Sequence, residues 1–377
     1  MPYIFNGMNK HSSKSAYTFI VVALSIVGIL IFSSAALGVI AKSEAKFITV
    51  AINQIVLGFA MGMIAFFTIS YIPYKFWRKI SLFIFIFACI LATLVFVPGI
   101  GIKANGAARW IGVGNYSFQP SEFLKISYVI FLAAIFSRSK EKIKSFKKGV
   151  LPYLGVTAIV AALLMLEPDN DTFFITASAG FAMFIVAGAK FKHILLLSLV
   201  AVLALGGVLL VRPYARERVM TFFHPSANSL TSGYQIQQSL IAIGNGGIFG
   251  KGFGQSAQKF GFLPEPMGDS IFAVASEEFG FLGSVTIILL FVAFALSALK
   301  IAAGTDDSFG RLLVVGIVIL VVSGSFSNIA SMLGIIPLSG TPLLFISQGG
   351  TALLTGLAEA GIILSVSRKK HSKLSRK

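Results

Sequence analysis

One cysteine, Cys89, stands among 377 residues, which excludes an intramolecular disulfide and a cysteine-rich metal site. The four histidines, His11, His193, His224 and His371, show no metal-ligand spacing. No internal repeat is visible, which counts modestly against the inverted-repeat architecture of many transporters. No signal peptide is expected either. The first 16 residues are polar and lead into an apolar run of about 24, too long for a signal-peptide core and without a small-residue cleavage site. Charge is scarce, at 12% of residues, and acid scarcest, with 14 Asp and Glu against 31 Lys and Arg.

What remains is apolar. Hydrophobic residues make up 56% of the chain, 36 of them Phe, and the mean hydropathy is +0.88, a membrane protein's composition. Apolar runs of about 20 residues predict ten transmembrane helices: 17–40, 48–72, 79–98, 121–137, 149–166, 172–189, 193–211, 270–299, 312–335 and 341–366. The expected fold is all-α and polytopic, a single transmembrane domain over 1–377 with a long extracytoplasmic loop, 212–269, between the seventh and eighth helices.

The net charge of +17 raises nucleic-acid binding, but its placement points elsewhere. With a cytoplasmic N-terminus, 21 Lys and Arg fall on the cytoplasmic side and 9 on the other, the pattern of the positive-inside rule. The excess then reports topology and contact with anionic lipid, with cytoplasmic tails at 1–16 and 367–377 and no nucleic-acid partner.

Three outer segments hold nearly all the chemistry-capable residues. In NGAARWIG (105–112), Arg109 is either part of an interfacial loop with Trp110 at headgroup level or a planar fork for phosphate. In QPSEFLK (119–125), Pro120 fits the first helical position and Glu122 the first turn. Glu122 and Lys125 share a helix face, and Lys125 falls inside an apolar span, where ionisable groups usually face an aqueous cavity. EPDND (167–171) sets Asp169 and Asp171 either in a solvated turn or as proton acceptors or oxygen ligands for a divalent cation. The long loop ends in FLPEPMGDSIFAVASEEFGF (262–281). Asp269 is placed as a helix N-cap or, with Glu277 and Glu278 deeper on the helix, as the mouth of a polar cavity. A carboxylate there would be desolvated enough to serve as general base. QIQQSLIAI in the same loop suits a short amphipathic helix, and GKGFGQS (250–256) lacks the GK[ST] ending of a phosphate-binding P-loop.

NGAARWI with QPSEFLK, the Pro168-Asp169 pair, the block from Gly233 to Phe281, and ISQGGTA (346–352) together closely resemble the SEDS family, the FtsW, RodA and SpoVE group of peptidoglycan glycosyltransferases. The likeness runs from about the first helix to residue 366. GQSAQK with LPEPMGD looks more like the division-type branch than the elongation-type branch. The resemblance implies polymerisation of lipid II on the outer face of the bacterial cytoplasmic membrane. Asp269 would take the proton of the acceptor's 4-hydroxyl, and undecaprenyl pyrophosphate would leave, met by Arg109 and Lys125. A divalent cation, magnesium or manganese, can share that neutralisation. Lys259, Glu122, Asp169, Glu265, Glu277 and Glu278 complete the implied substrate-binding set, with Glu265 orienting the loop or sugar and one of Glu277 and Glu278 supporting the cavity floor. A class B penicillin-binding protein transpeptidase and other divisome proteins are the implied partners. Where the family has PDLGT this chain has Pro168, Asp169, Asn170, Asp171 and Thr172, which makes Asp171 an extra acid. A lipid-linked precursor flippase, an elongation-type polymerase and a structural membrane scaffold are the competing readings.

Overall fold

The computed structural model describes residues 10–40, 44–104, 107–113, 116–224 and 232–368. The Asn105-Gly106 turn and most of the two basic tails lie outside them. Helices stand at all ten predicted positions: α1 (Lys10–Ile40), α2 (Glu44–Ile52) running through a π-helical stretch (Asn53–Ala60) into α3 (Met61–Tyr71), α4 (Tyr74–Leu94), α5 (Pro120–Phe136), α7 (Leu151–Leu166), α8 (Asn170–Val186), α9 (Phe191–Val211), α12 (Ile271–Ala303), α13 (Ser308–Met332) and α14 (Gly350–Ser367). Among the described residues, eight spans are long and apolar enough to cross a membrane. The other two are α5 and α8, each of 17 residues, which rise about 25 Å. A single turn, α6 (Lys140–Ile143), and a π-helical stretch (Phe146–Val150) precede α7.

The helices are apolar on nearly all sides because both core and lipid want apolar side chains, so burial depends on position in the bundle. Most of α13 and α14 is buried, while α9 is almost wholly exposed. The core forms where α14 packs on α3, α12 on α1 and α13, and α8 on α13 and α5. Lys14 near the start of α1 and Arg368 just after α14 line one cavity with Lys300 of α12, so both ends of the described chain lie at the end of the bundle away from Asp269.

Three departures from the expected layout bear on function. Between α4 and α5 stands a small antiparallel sheet, β1 (Gly101–Ala104), β2 (Ala107–Val113) and β3 (Tyr116–Phe118) in that order, a short segment that an apolar-run scan reads only as a loop. The 212–269 connection is partly helical: α10 (Pro213–Phe223) and α11 (Ser232–Gly246) precede a tightly hydrogen-bonded coil. The last span starts at Gly350 rather than 341. Residues 337–349 are irregular, broken by Pro337, Gly340, Pro342 and Gly349, and an apolar window cannot tell such a buried loop from a helix.

Candidate active site

Asp269 lies one residue before Ser270, the residue that occupies the N-cap of α12. It is therefore not the helix cap, and no hydrogen bond or ion pair engages its carboxylate among the described residues. Its backbone, by contrast, is held from three directions. Asn328 of α13 donates from Nδ2 to the Asp269 carbonyl at 2.7 Å and to that of Thr341 at 2.9 Å. Ser347 donates its hydroxyl to the Gly268 carbonyl at 2.8 Å, and the Gln348 amide donates to Met267 at 2.7 Å. Gln235 of α11 donates to the Ser270 hydroxyl at 3.0 Å. On the near side, Glu265 sits in the left-handed region at φ 46°, and its carbonyl accepts from Gly268 and Ser270, each at 3.1 Å. The side chain that is free to react is carried on a backbone that is not free to move.

The ISQGGTA segment owes its shape to the π-helical stretch. There Gln54, 1% exposed, donates to the Ser347 carbonyl at 3.0 Å and accepts from the Gly349 amide at 2.9 Å. One buried amide thus ties α2–α3 to the loop that ties down Asp269.

Two cavities meet at Asp269. The first, of about 460 Å³, lies between the π-helical stretch, the Glu265–Asp269 turn and residues 348–351. Asn53, Gln54, Ser117 and Gln348 face it, and among the described residues no cation does. The second, of about 180 Å³, runs inward and is faced by Arg109, Glu122, Lys125, Asp169 and Glu359. Trp110, Asp269, Gln348 and Gly349 line both, so the carboxylate stands where a chamber lined by acidic and neutral polar groups joins one that also holds cations.

Burial pushes the Asp269 carboxyl up to about 7, with the negative charge of Glu265 adding to the rise and Arg218 and Arg109 opposing it. Asp269 is half-buried, so loss of hydration is a sufficient first cause. At the end of α7, Glu167 is fully buried with neither carboxylate oxygen hydrogen-bonded among the described residues. Burial, then the Asp169 charge, lift it to about 8 against Arg109. Burial also raises Asp169, whose carboxylate caps α8 through the Thr172 amide at 3.3 Å. The acidic turn is therefore packed, not solvated.

Of the residues singled out from sequence, Arg109, Glu122, Lys125, Asp169 and Glu265 line these two cavities with Asp269. Arg109 donates through Nε to the Glu167 carbonyl at 3.1 Å and through Nη2 to that of Pro168. Glu122 and Lys125 pair at 2.8 Å as their spacing predicts. Lys259, Glu277 and Glu278 lie elsewhere. Glu278 takes Lys259 Nζ at 2.7 Å and the Ser34 hydroxyl at 2.6 Å. Glu277 takes Lys251 at 2.8 Å, the Ser256 hydroxyl at 2.5 Å and the Gln258 amide at 3.2 Å. These acids do not form the cavity floor. They anchor the 247–259 coil to a break in α12, where Gly280 leaves helical geometry at φ 66° and ψ −162°. The carbonyls of Glu277 and Glu278 released by that break accept from the amides of Lys251 and Gly252 at 3.0 Å each. The released amides of Phe281 and Leu282 donate to Gly247 and Ile248.

Sequence reasoning missed Gln54, Asn328, Ser347, Arg218 and Glu359. The one usable signal was Glu359 inside an apolar span, where an ionisable group is a candidate by default; the others are ordinary polar residues until the fold brings them together. As for the expected cation, no three His, Cys, Asp or Glu come together to hold a metal ion among the described residues. The donors present do not make a protein-only site, and the reaction steps are assigned to the chain's own residues.

Fold and site define a multi-pass α-helical membrane protein with a carboxylate at the junction of two polar cavities. A family model for the FtsW/RodA/SpoVE group, described as cell cycle protein, matches residues 15–372, and the chain belongs to that family. It is 37% identical over 360 residues to stage V sporulation protein E of Bacillus subtilis (strain 168), covering 95% of this chain and 98% of that one. To the probable peptidoglycan glycosyltransferase FtsW of Geobacter sp. (strain M18) it is 35% identical over 309 residues, covering 82% and 84%. Among solved structures, a chain from work on the structural coordination of polymerization and crosslinking by a peptidoglycan synthase complex aligns with a TM-score of 0.77 at 24% identity, over 94% of this chain and 98% of that one. Thermus thermophilus rod shape determining protein RodA aligns with a TM-score of 0.67 at 23% identity, over 93% and 95%. These two likenesses carry the fold.

Proposed function

We propose that the protein is a peptidoglycan glycosyltransferase that polymerises lipid II. The observation that carries the reading is Asp269: a half-buried carboxylate, unpaired among the described residues, on a rigid backbone, between a chamber with no cation among those residues and one that holds Arg109 and Lys125. In the proposed step the acceptor sugar's 4-hydroxyl oxygen attacks the donor's anomeric carbon, and Asp269 takes its proton. The bond from that carbon to the pyrophosphate oxygen breaks, and undecaprenyl pyrophosphate departs with the electron pair. The chamber of carboxylate and amide groups suits the hydroxyls of the sugars, and the guanidinium and ammonium groups suit the leaving anion.

The excess of Lys and Arg on the segments around Lys14 and Arg368 supports a cytoplasmic position for that end of the bundle and an outer-face position for Asp269. A role in septal synthesis is supported by relatives that carry the FtsW name. A class B penicillin-binding protein transpeptidase, with other divisome proteins, is the proposed partner. In support, one structural neighbour comes from a peptidoglycan synthase complex that coordinates polymerization and crosslinking. A magnesium or manganese ion fits only in the form that uses one or two carboxylates and the substrate's own phosphates.

The test is polymerisation of labelled lipid II by the purified protein, alone and with its transpeptidase, comparing wild type with Asp269→Asn and adding a chelator arm. Glycan strands from wild type that fall by about two to four orders of magnitude in the variant are expected. Wild type that makes none even with its partner, while moving lipid II across vesicles, would make the protein a flippase. Equal strands from both proteins would return Asp269 to a structural role.

A further inference from the structure

Asp171 opens α8, and one of its oxygens collects two other segments. Arg218 of α10 donates from Nη1 to Asp171 Oδ2 at 2.8 Å, and the amide of Gly340, between α13 and α14, donates to the same oxygen at 2.9 Å. The same Nη1 donates to the Leu338 carbonyl at 3.0 Å. Nη2 donates to the hydroxyl of Tyr214, whose ring lies 4.5 Å from the guanidinium carbon.

These bonds matter because α10 is shallowly seated. Thr221 is its one buried residue, so apolar burial cannot set its position. The Asp171–Arg218 pair is 32% and 21% exposed, shielded enough to outweigh an open surface pair. A cavity of about 250 Å³ opens beside it and is faced by both Arg218 and Arg109. This space shares Arg109, Gly340 and Thr341 with the inner cavity that reaches Asp269, and Leu205, Val208 and Leu209 of the exposed helix α9 give it an apolar wall. A guanidinium has five N–H groups. Arg218 commits three, leaving Nε–H and one Nη2–H uncommitted among the described residues. Two planar forks facing one space beside an apolar wall match a pyrophosphate on a long hydrocarbon tail.

We infer that Arg218 binds the pyrophosphate of the lipid-linked substrate and that Asp171 is the positioning residue that holds it there. This rests on the proposed glycosyltransferase reading and deepens it.

The experiment measures binding of undecaprenyl pyrophosphate, and of the neutral alcohol undecaprenol, to the full chain in lipid nanodiscs. Arg218→Gln should weaken the pyrophosphate lipid about tenfold and leave the alcohol unchanged. Asp171→Asn should do the same, and the double variant should be no weaker than either single. Arg218→Lys, which keeps the charge without the fork, should fall between. Equal weakening of both lipids, fully additive losses, or no loss would overturn the assignment. A second readout is the pH profile of polymerisation. Glu265 and Asp171 hold the Asp269 carboxyl up, Arg218 and Arg109 hold it down, and Arg218 outweighs Asp171; Glu122, Lys125, Asp169 and Glu359 face the same inner cavity. If Asp171→Asn releases Arg218, the rise of activity moves to higher pH, as in Arg218→Gln. A move to lower pH would mean that Arg218 stays in place without Asp171 and would remove the positioning role. Binding of the pyrophosphate lipid by a wild type that makes no glycan would support this site while ending the proposed activity.

Discussion

Lys259 and Glu278 form an ion pair at 2.7 Å with both side chains wholly out of solvent, and Ser34 of α1 hydrogen-bonds to both. This pair joins the coil after α11 to the broken part of α12 and to α1. Removing one partner leaves a buried charge unanswered, at a cost of about 3–5 kcal/mol. Lys259→Met and Glu278→Gln should each lower the thermal unfolding temperature markedly, and the double variant Lys259→Met/Glu278→Leu should recover most of the loss. A double variant no better than the worse single would mean that the pair is not the source of the cost.

The Asp269 carboxyl, pushed up to about 7, works as a base only when unprotonated. Activity on lipid II should therefore rise with pH through about 7. Glu265 contributes negative charge that holds the proton on Asp269, so Glu265→Gln should move the rise to lower pH. Initial rates across pH 5.5 to 8.5 decide it, and a profile that stays put in the variant would exclude Glu265 from this influence.

Ser347 sits between the Leu343 amide, from which it accepts at 2.8 Å, and the Gly268 carbonyl, to which it donates at 2.8 Å. Ser347→Ala removes both bonds at about 1 kcal/mol each. The expected result is a fall in kcat with KM near wild type, because the acid is misplaced while the cavities persist. Gln54→Leu, which strands two backbone groups, should reduce both kcat and the unfolding temperature.

Gly280 cannot accept a side chain. A Cβ there would lie 2.3 Å from the amide of Gly250, at a positive φ that already strains any other residue. Gly280→Ala should detach the 247–252 coil from α12 and let its backbone fit a protease, so that trypsin cuts after the already exposed Lys251. Limited proteolysis of folded protein measures this directly; a cleavage pattern like that of wild type would show that the coil holds without the break.

How much of the molecule is legible in its sequence follows from the range of each interaction. Apolar run length places helices at all ten positions because each run is a local property of the chain. Spacing alone brings Glu122 and Lys125 together, and Asp269 before α12 stands out because three more acids lie near it in an apolar stretch. The 341–349 segment reads as helix because a buried loop is as apolar as a span. Glu277 and Glu278 read as cavity residues because their depth can be counted along a helix, whereas the partners that consume them cannot. Lys259 and Ser34 lie 19 and 244 positions from Glu278.

The sequence by itself determined that this chain crosses a membrane many times, which ends carry the basic excess, and which connecting segments hold acids, since hydropathy and charge are sums over neighbours along the chain. Only the tertiary structure decided which acids can act. Asn328 reaches the Asp269 carbonyl across 59 positions, Ser347 reaches Gly268 across 79, and Arg218 reaches Asp171 across 47. Contacts of that separation follow no period in one sequence. Whether a carboxylate is spent in an ion pair, like Glu278, or left unpaired at a cavity, like Asp269, depends on which side chains the packed helices bring within about 3 Å of it.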